Sequence, residues 1–73
     1  MDPDEFDLRI RVSRMRGQEM ACTGKFNYGN ELDAGMTVAE LTVRYGAIAD
    51  AYPCGHCAGW HIGPKITDEE RYG

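Results

Sequence analysis

Cysteine is scarce in this chain and odd in number. Only Cys22, Cys54 and Cys57 occur among 73 residues. A disulfide would leave one thiol over, which argues against a bridge-stapled secreted scaffold. No run of about 18 apolar residues exists to cross a membrane. The opening Met1-Asp2-Pro3-Asp4-Glu5-Phe6-Asp7 is acidic and lacks the apolar stretch of a secretory signal. A cytoplasmic, reducing setting is therefore expected, where cysteines serve metals more often than disulfides. Positive charge is also short, with 8 Lys and Arg against 12 Asp and Glu for a net −4. That balance disfavours a generic nucleic-acid binder. Length is the last shortage. A chain of this size buries only about 60% of its unfolded surface. Below roughly 70–80 residues a core seldom supplies more than about 3–5 kcal/mol, so a staple is expected.

The staple is written in Tyr52-Pro53-Cys54-Gly55-His56-Cys57-Ala58-Gly59-Trp60-His61-Ile62-Gly63. A C-x-x-C pair with a histidine four residues later is a half-site for Zn²⁺, which takes four tetrahedral Cys and His ligands in structural sites. Gly55 lies in the short turn, where glycine can adopt φ > 0. Cys22 is the natural fourth ligand, giving Cys22, Cys54, Cys57 and His61 around one structural zinc. The alternative leaves Cys22 a bystander, with His56 or an external group completing the shell. His56, between the cysteines, should point away from a metal held by both sulfurs. Three thiolates and a dication take the formal charge from −4 to −5, so zinc does not make the chain basic. Other uses of the pair fit less well. A thioredoxin-like pair needs a βαβ setting, and c-type haem needs histidine where Ala58 stands. The zinc deaminase signature needs an upstream H-x-E or C-x-E, but Thr23-Gly24 follows Cys22. Four protein ligands would also leave no open position for water, so no catalysis is expected at the metal.

Around this motif the sequence reads as α+β. Phe6, Leu8, Ile10 and Val12 alternate with Asp7, Arg9 and Arg11, the period of a half-buried N-terminal β-strand. Residues 18–35, with Gly24, Gly29, Asn30 and Gly35, read as turns carrying Cys22. Thr37-Val38-Ala39-Glu40 matches a capping box, flanked by Met36 and Leu41 as a hydrophobic staple. Val38, Leu41, Tyr45, Ile48 and Tyr52 then make one apolar stripe. The expected helix runs from about 38 to 51 and ends before Pro53. Trp60-His61-Ile62 should be a short strand leaving the zinc knuckle. Residues 1–5 read as a flexible acidic head, 6–63 as a single zinc-stabilised domain and 64–73 as a loosely ordered acidic tail.

The sequence Cys22-Thr23-Gly24-Lys25…Tyr28, a helix, and Ala51-Tyr52-Pro53-Cys54-x-x-Cys57-x-Gly59-Trp60-His61-Ile62-Gly63 resembles a group of small zinc-ribbon-like proteins of actinobacteria and their phages. Their pattern is C-x-x-K-x-x-Y, helix, Y-x-C-P-x-C-G-G-W-H. The resemblance spans residues 22–63. It implies Cys22, Cys54, Cys57 and His61 as ligands, with Trp60 packed beside the metal, and little about function. Ala58 stands where the group has glycine, and residues 6–12 have no counterpart in the pattern.

Half of all Lys and Arg fall in one short segment as Arg9, Arg11, Arg14 and Arg16. This is a solvated or internally paired face, or a contact surface for phosphate or for an acidic partner. The helix at 38–51 carries only Arg44, so base reading in the major groove is not expected. The N-terminal strand would offer an edge for β-augmentation. The profile is that of a non-enzymatic, zinc-stapled protein-interaction or regulatory module, phage-encoded in one version, docking on a larger host protein. Nucleic-acid binding through Arg9–Arg16 comes second, and a thiol redox or hydrolytic enzyme third. No membrane or small-molecule partner is evident.

Overall fold

The computed structural model describes residues 1–73. Helix α1 spans Pro3–Arg16 and α2 Gln18–Ala21; α3 spans Glu31–Tyr45; strands β1 (Ala49–Pro53) and β2 (Trp60–Pro64) follow, then helix α4 at Asp68–Tyr72. The α+β class stands, but the N-terminal strand does not: residues 6–12 lie inside α1. Its helix signals are local. The Asp2 side chain accepts from the Glu5 N–H at 2.9 Å, Pro3 opens the first turn, acids Asp4 and Glu5 follow, and Arg14 and Arg16 close the last. Gly17, at φ 85, ends it. The inward face is Leu8 and Arg9, then Val12 and Ser13, then Arg16, a helical stripe in which three of five residues are polar. Only Val12 and Ser13 on it are fully buried. The apolar alternation from Phe6 to Val12 therefore carried no strand.

The long helix also starts and stops earlier than expected. Asn30 is its cap, accepting from the Asp33 N–H at 2.9 Å. Thr37 sits inside it and donates its hydroxyl to the Asp33 carbonyl at 3.1 Å. Gly46 adopts φ 64 and its N–H closes on the Leu41 and Thr42 carbonyls, a left-handed C-cap. That glycine releases the chain into β1, so Tyr52 lies on a strand rather than on the helix.

β1 and β2 form an antiparallel hairpin with Tyr52 opposite His61 and Pro53 opposite Trp60. Tyr28 adds a bridge to Trp60 on the outer edge of β2. α1 and α3 both pack on β1. The tail is held as well. Thr67 and Glu70 make a reciprocal capping box at the start of α4. Arg16 holds the Glu70 carboxylate through two bonds, Nε to Oε2 at 2.7 Å and Nη2 to Oε1 at 2.8 Å. Eleven of 73 residues are buried, among them Val12, Ala21, Ala34, Tyr52 and Ile66. So small a core leaves much of the stability to whatever ties the Cys and His loops together.

Candidate metal centre

Three separate segments bring the ligands together. Cys22 terminates α2 and opens a turn closed by the Lys25 N–H on its carbonyl at 3.1 Å. Gly24 takes φ 77 in that turn, where a side chain would be strained. Cys54 follows β1, Cys57 lies in the hairpin loop, and His61 belongs to β2. One ligand atom from each of Cys22, Cys54, Cys57 and His61 lies within 4.8 Å of the others. A tetrahedron around zinc with Zn–S of about 2.3 Å has edges of about 3.8 Å, so a small inward movement of the donors suffices. The four residues can bind one metal ion. All three cysteines are free thiols.

His61 is oriented for ligation. It is buried, and its Nδ1 lies 2.7 Å from the Phe26 carbonyl. A carbonyl only accepts, so Nδ1 carries the proton and the Nε2 lone pair is left free. Nε2 lies 3.2 Å from Cys57 Sγ. His56 stays outside the cluster. Its Nε2 meets the Ser13 carbonyl at 3.0 Å, which pins the loop to α1.

Supporting residues surround the donors; sequence pattern assigned Ser13 no role and placed Tyr52 on a helix. The buried Ser13 hydroxyl accepts the Gly55 N–H at 3.1 Å and sits 4.0 Å from Cys54 Sγ. Tyr52 donates its hydroxyl to the carbonyl of Ala21, the residue before Cys22, and its ring lies 6.1 Å from that of His61. Trp60 was expected beside the metal. Strand alternation turns it to the face opposite His61, where it meets Phe6 edge-on at 6.1 Å. Gly55 is needed for close approach rather than for positive φ, since a Cβ there would press on the Arg14 side chain and the Ile10 carbonyl. At Gly59 a Cβ would overlap the Asn27 side chain.

The metal-free thiols ionise unequally. Loss of solvation, then hydrogen bonds with Cys57 and Cys54, pushes Cys22 up to about 11. Burial also opposes ionisation of Cys54, but the amides of His56 and Cys57 and the neighbouring thiols donate to its sulfur. Together they hold it below the ordinary thiol value, with the His56 N–H at 3.3 Å. A clustered set of this kind accepts one thiolate easily and further ones only with a compensating cation.

The arginines are largely taken up by the fold. Arg9 bonds Glu5 at 2.9 Å and the Ala51 carbonyl at 2.8 Å, and stands 3.5 Å from Asp50. Arg11 donates to the Arg71 carbonyl at 2.9 Å and the Glu70 carbonyl at 3.3 Å. Arg16 is locked to Glu70, as described above. Arg14 packs its side chain against Gly55. No edge strand exists at 6–12 to recruit a partner by β-augmentation. No helix is long and apolar enough to cross a membrane.

Comparison with known proteins adds no relative. No family model, no curated protein and no solved structure matches this chain.

Proposed function

We propose that this chain is a small binding module whose fold is stapled by one structural zinc ion and which acts by docking on another protein. The observation that carries the metal part is the closed donor set of Cys22, Cys54, Cys57 and His61 within 4.8 Å. Three sulfurs and one imidazole suit zinc, and four protein donors leave no vacant position for substrate or water. The His61–Phe26 and Cys54–His56 contacts orient these donors as the outer shell of a metal site does. The metal supplies folding energy, and the protein works through its surfaces rather than as an enzyme. The resemblance of residues 22–63 to the small zinc-ribbon-like proteins of actinobacteria and their phages agrees with this reading, and three unpaired cysteines suit a reducing, cytoplasmic setting.

Phosphate binding through Arg9, Arg11, Arg14 and Arg16 has less support, because Arg9, Arg11 and Arg16 are engaged within the chain. Thiol counting on the native protein tests the proposal. Cys22, Cys54 and Cys57 should be shielded until a strong chelator is added, and then all react with release of one zinc. Immediate reaction of all three in untreated protein would instead favour redox chemistry. A salt titration with mixed DNA and RNA covers the other reading: steep salt dependence would support phosphate contact.

A further inference from the structure

Away from the metal, α3 turns an apolar ridge to solvent. Leu32, Met36, Ala39 and Val43 follow at spacings of 4, 3 and 4, which places them on one helical stripe. Leu32 is 70% exposed, Met36 63% and Val43 86%. The opposite side of α3, with Ala34, Val38 and Leu41, is the side that covers the sheet. One helix therefore carries two apolar faces, and the fold uses one. Gly35 lies beside the ridge with nothing within 4 Å of where its Cβ would be, so another backbone can come close there. A shallow depression on the other flank runs past Met36 and is lined by Tyr28, Asp33, Thr37 and Glu40.

Charge decides what can lie on this ridge. The positions flanking a 4-3-4 seam are those that meet a partner's flanking residues across it. Here one flank carries Asp33 and Glu40, and Glu31 stands at the start of the other. Two cations lie nearby. The N-terminal ammonium stands 3.4 Å from Glu31. Arg44 pairs with Glu40 at 3.3 Å, both side chains being more than half exposed; such a pair is weak and leaves Glu40 able to exchange partners. An antiparallel second copy of α3 would set Asp33 and Glu40 against their own counterparts, and a parallel one would set them against Gly35 and Thr42, so neither direction offers them a cation. An anionic lipid surface would meet the same repulsion. A cationic helix would find its apolar side on the ridge and its Lys or Arg between Asp33 and Glu40, with the Tyr28 ring at the wall to face the cation. We propose that the outward face of α3 is the docking surface of this module and that its partner is a basic amphipathic helix of another protein.

This proposal rests on the protein-binding part of the function proposed above, and a direct test uses the metal-loaded full chain. Isotope-labelled protein is titrated with a synthetic Leu/Lys amphipathic helix of roughly 18 residues, five turns, and with its Leu/Glu counterpart. The Leu/Lys peptide should shift the amides of α3 around Met36, and the Leu/Glu peptide should not. Met36→Lys, at an exposed position, should weaken the Leu/Lys complex at least about tenfold with unchanged melting. The Asp33→Asn, Glu40→Gln double variant should do the same, since it removes the charge and keeps the shape. Equal binding of both peptides, or shifts confined to other faces, would overturn the proposal. So would a dimer in sedimentation that Met36→Lys dissolves, or vesicle binding that depends on the same residues. Zinc content and chelator response are read on the same samples. A normal metal response without peptide binding would sink only the docking surface, whereas peptide binding by a metal-free folded chain would sink only the zinc staple.

Discussion

Ser13 joins the first helix to the metal loop through its hydroxyl and its carbonyl. Its oxygen accepts from Gly55 N–H, its carbonyl meets His56, and its hydroxyl lies against Cys54 Sγ. Ser13→Ala leaves the Gly55 amide without its partner in a half-buried setting, which costs about 1–3 kcal/mol. The expected fall in melting temperature is roughly 4–8 °C per kcal/mol for a chain of this size, read by circular dichroism on the zinc-loaded protein. Tyr52 acts from β1 through its bond to the Ala21 carbonyl. Burial chiefly, helped by the nearby Cys54, pushes its phenol from 10.0 up to about 12. A raised folded value means that its contribution to stability is complete below about pH 10 and is lost as pH climbs towards 12. Absorbance titration at alkaline pH should therefore show a phenol step near pH 12 that disappears in Tyr52→Phe. The two kinds of site residue differ in how visible they were. Cysteine and histidine declare metal chemistry by type and spacing. Ser13 and Tyr52 matter through partners 42 and 31 residues away in sequence, which no local pattern marks.

At the scale of the elements, the hairpin strand from Trp60 was legible because it leaves a knuckle of known spacing. α1 was not, because its inward stripe contains Arg9, Ser13 and Arg16, whose polar groups meet partners such as Glu5, Asp50, Ala51, Gly55 and Glu70 only once the chain is folded. Asp2-Pro3-Asp4-Glu5 held the helix signal all along, as a cap and an acidic first turn. α3 was displaced for a related reason. Thr37-Val38-Ala39-Glu40 has the pattern of a cap, yet Asn30 lies upstream with its own, and Gly46 stops the helix before Pro53 has any say. Two glycines on this helix make opposite predictions. Gly46 holds φ +64, so Gly46→Ala should destabilise by about 1 kcal/mol. Gly35 is mid-helix in open space, so Gly35→Ala should stabilise by about 0.5–1 kcal/mol. Denaturant midpoints of the two variants check the signs.

For the whole molecule, the decisive quantity is the ratio of core to chain. Val12, Ala21, Ala34, Tyr52 and Ile66 form a modest interior, and the loops at 22–25 and 54–59 are organised around the four donors. Domains with so little burial lean on a staple, and structural zinc supplies apparent binding energies of about 10–16 kcal/mol in small zinc-finger peptides. The acidic balance of the chain and the exposed apolar face of α3 are the features on which the proposed docking of a cationic partner rests. The measurement that bears most directly on this account is a thermal melt of the full chain by circular dichroism, with and without a strong chelator, beside native mass spectra of the same samples. One zinc per folded chain, lost on chelation together with the cooperative melt, is the expected result. A chain that carries no metal, or that keeps its fold after losing it, would contradict the account.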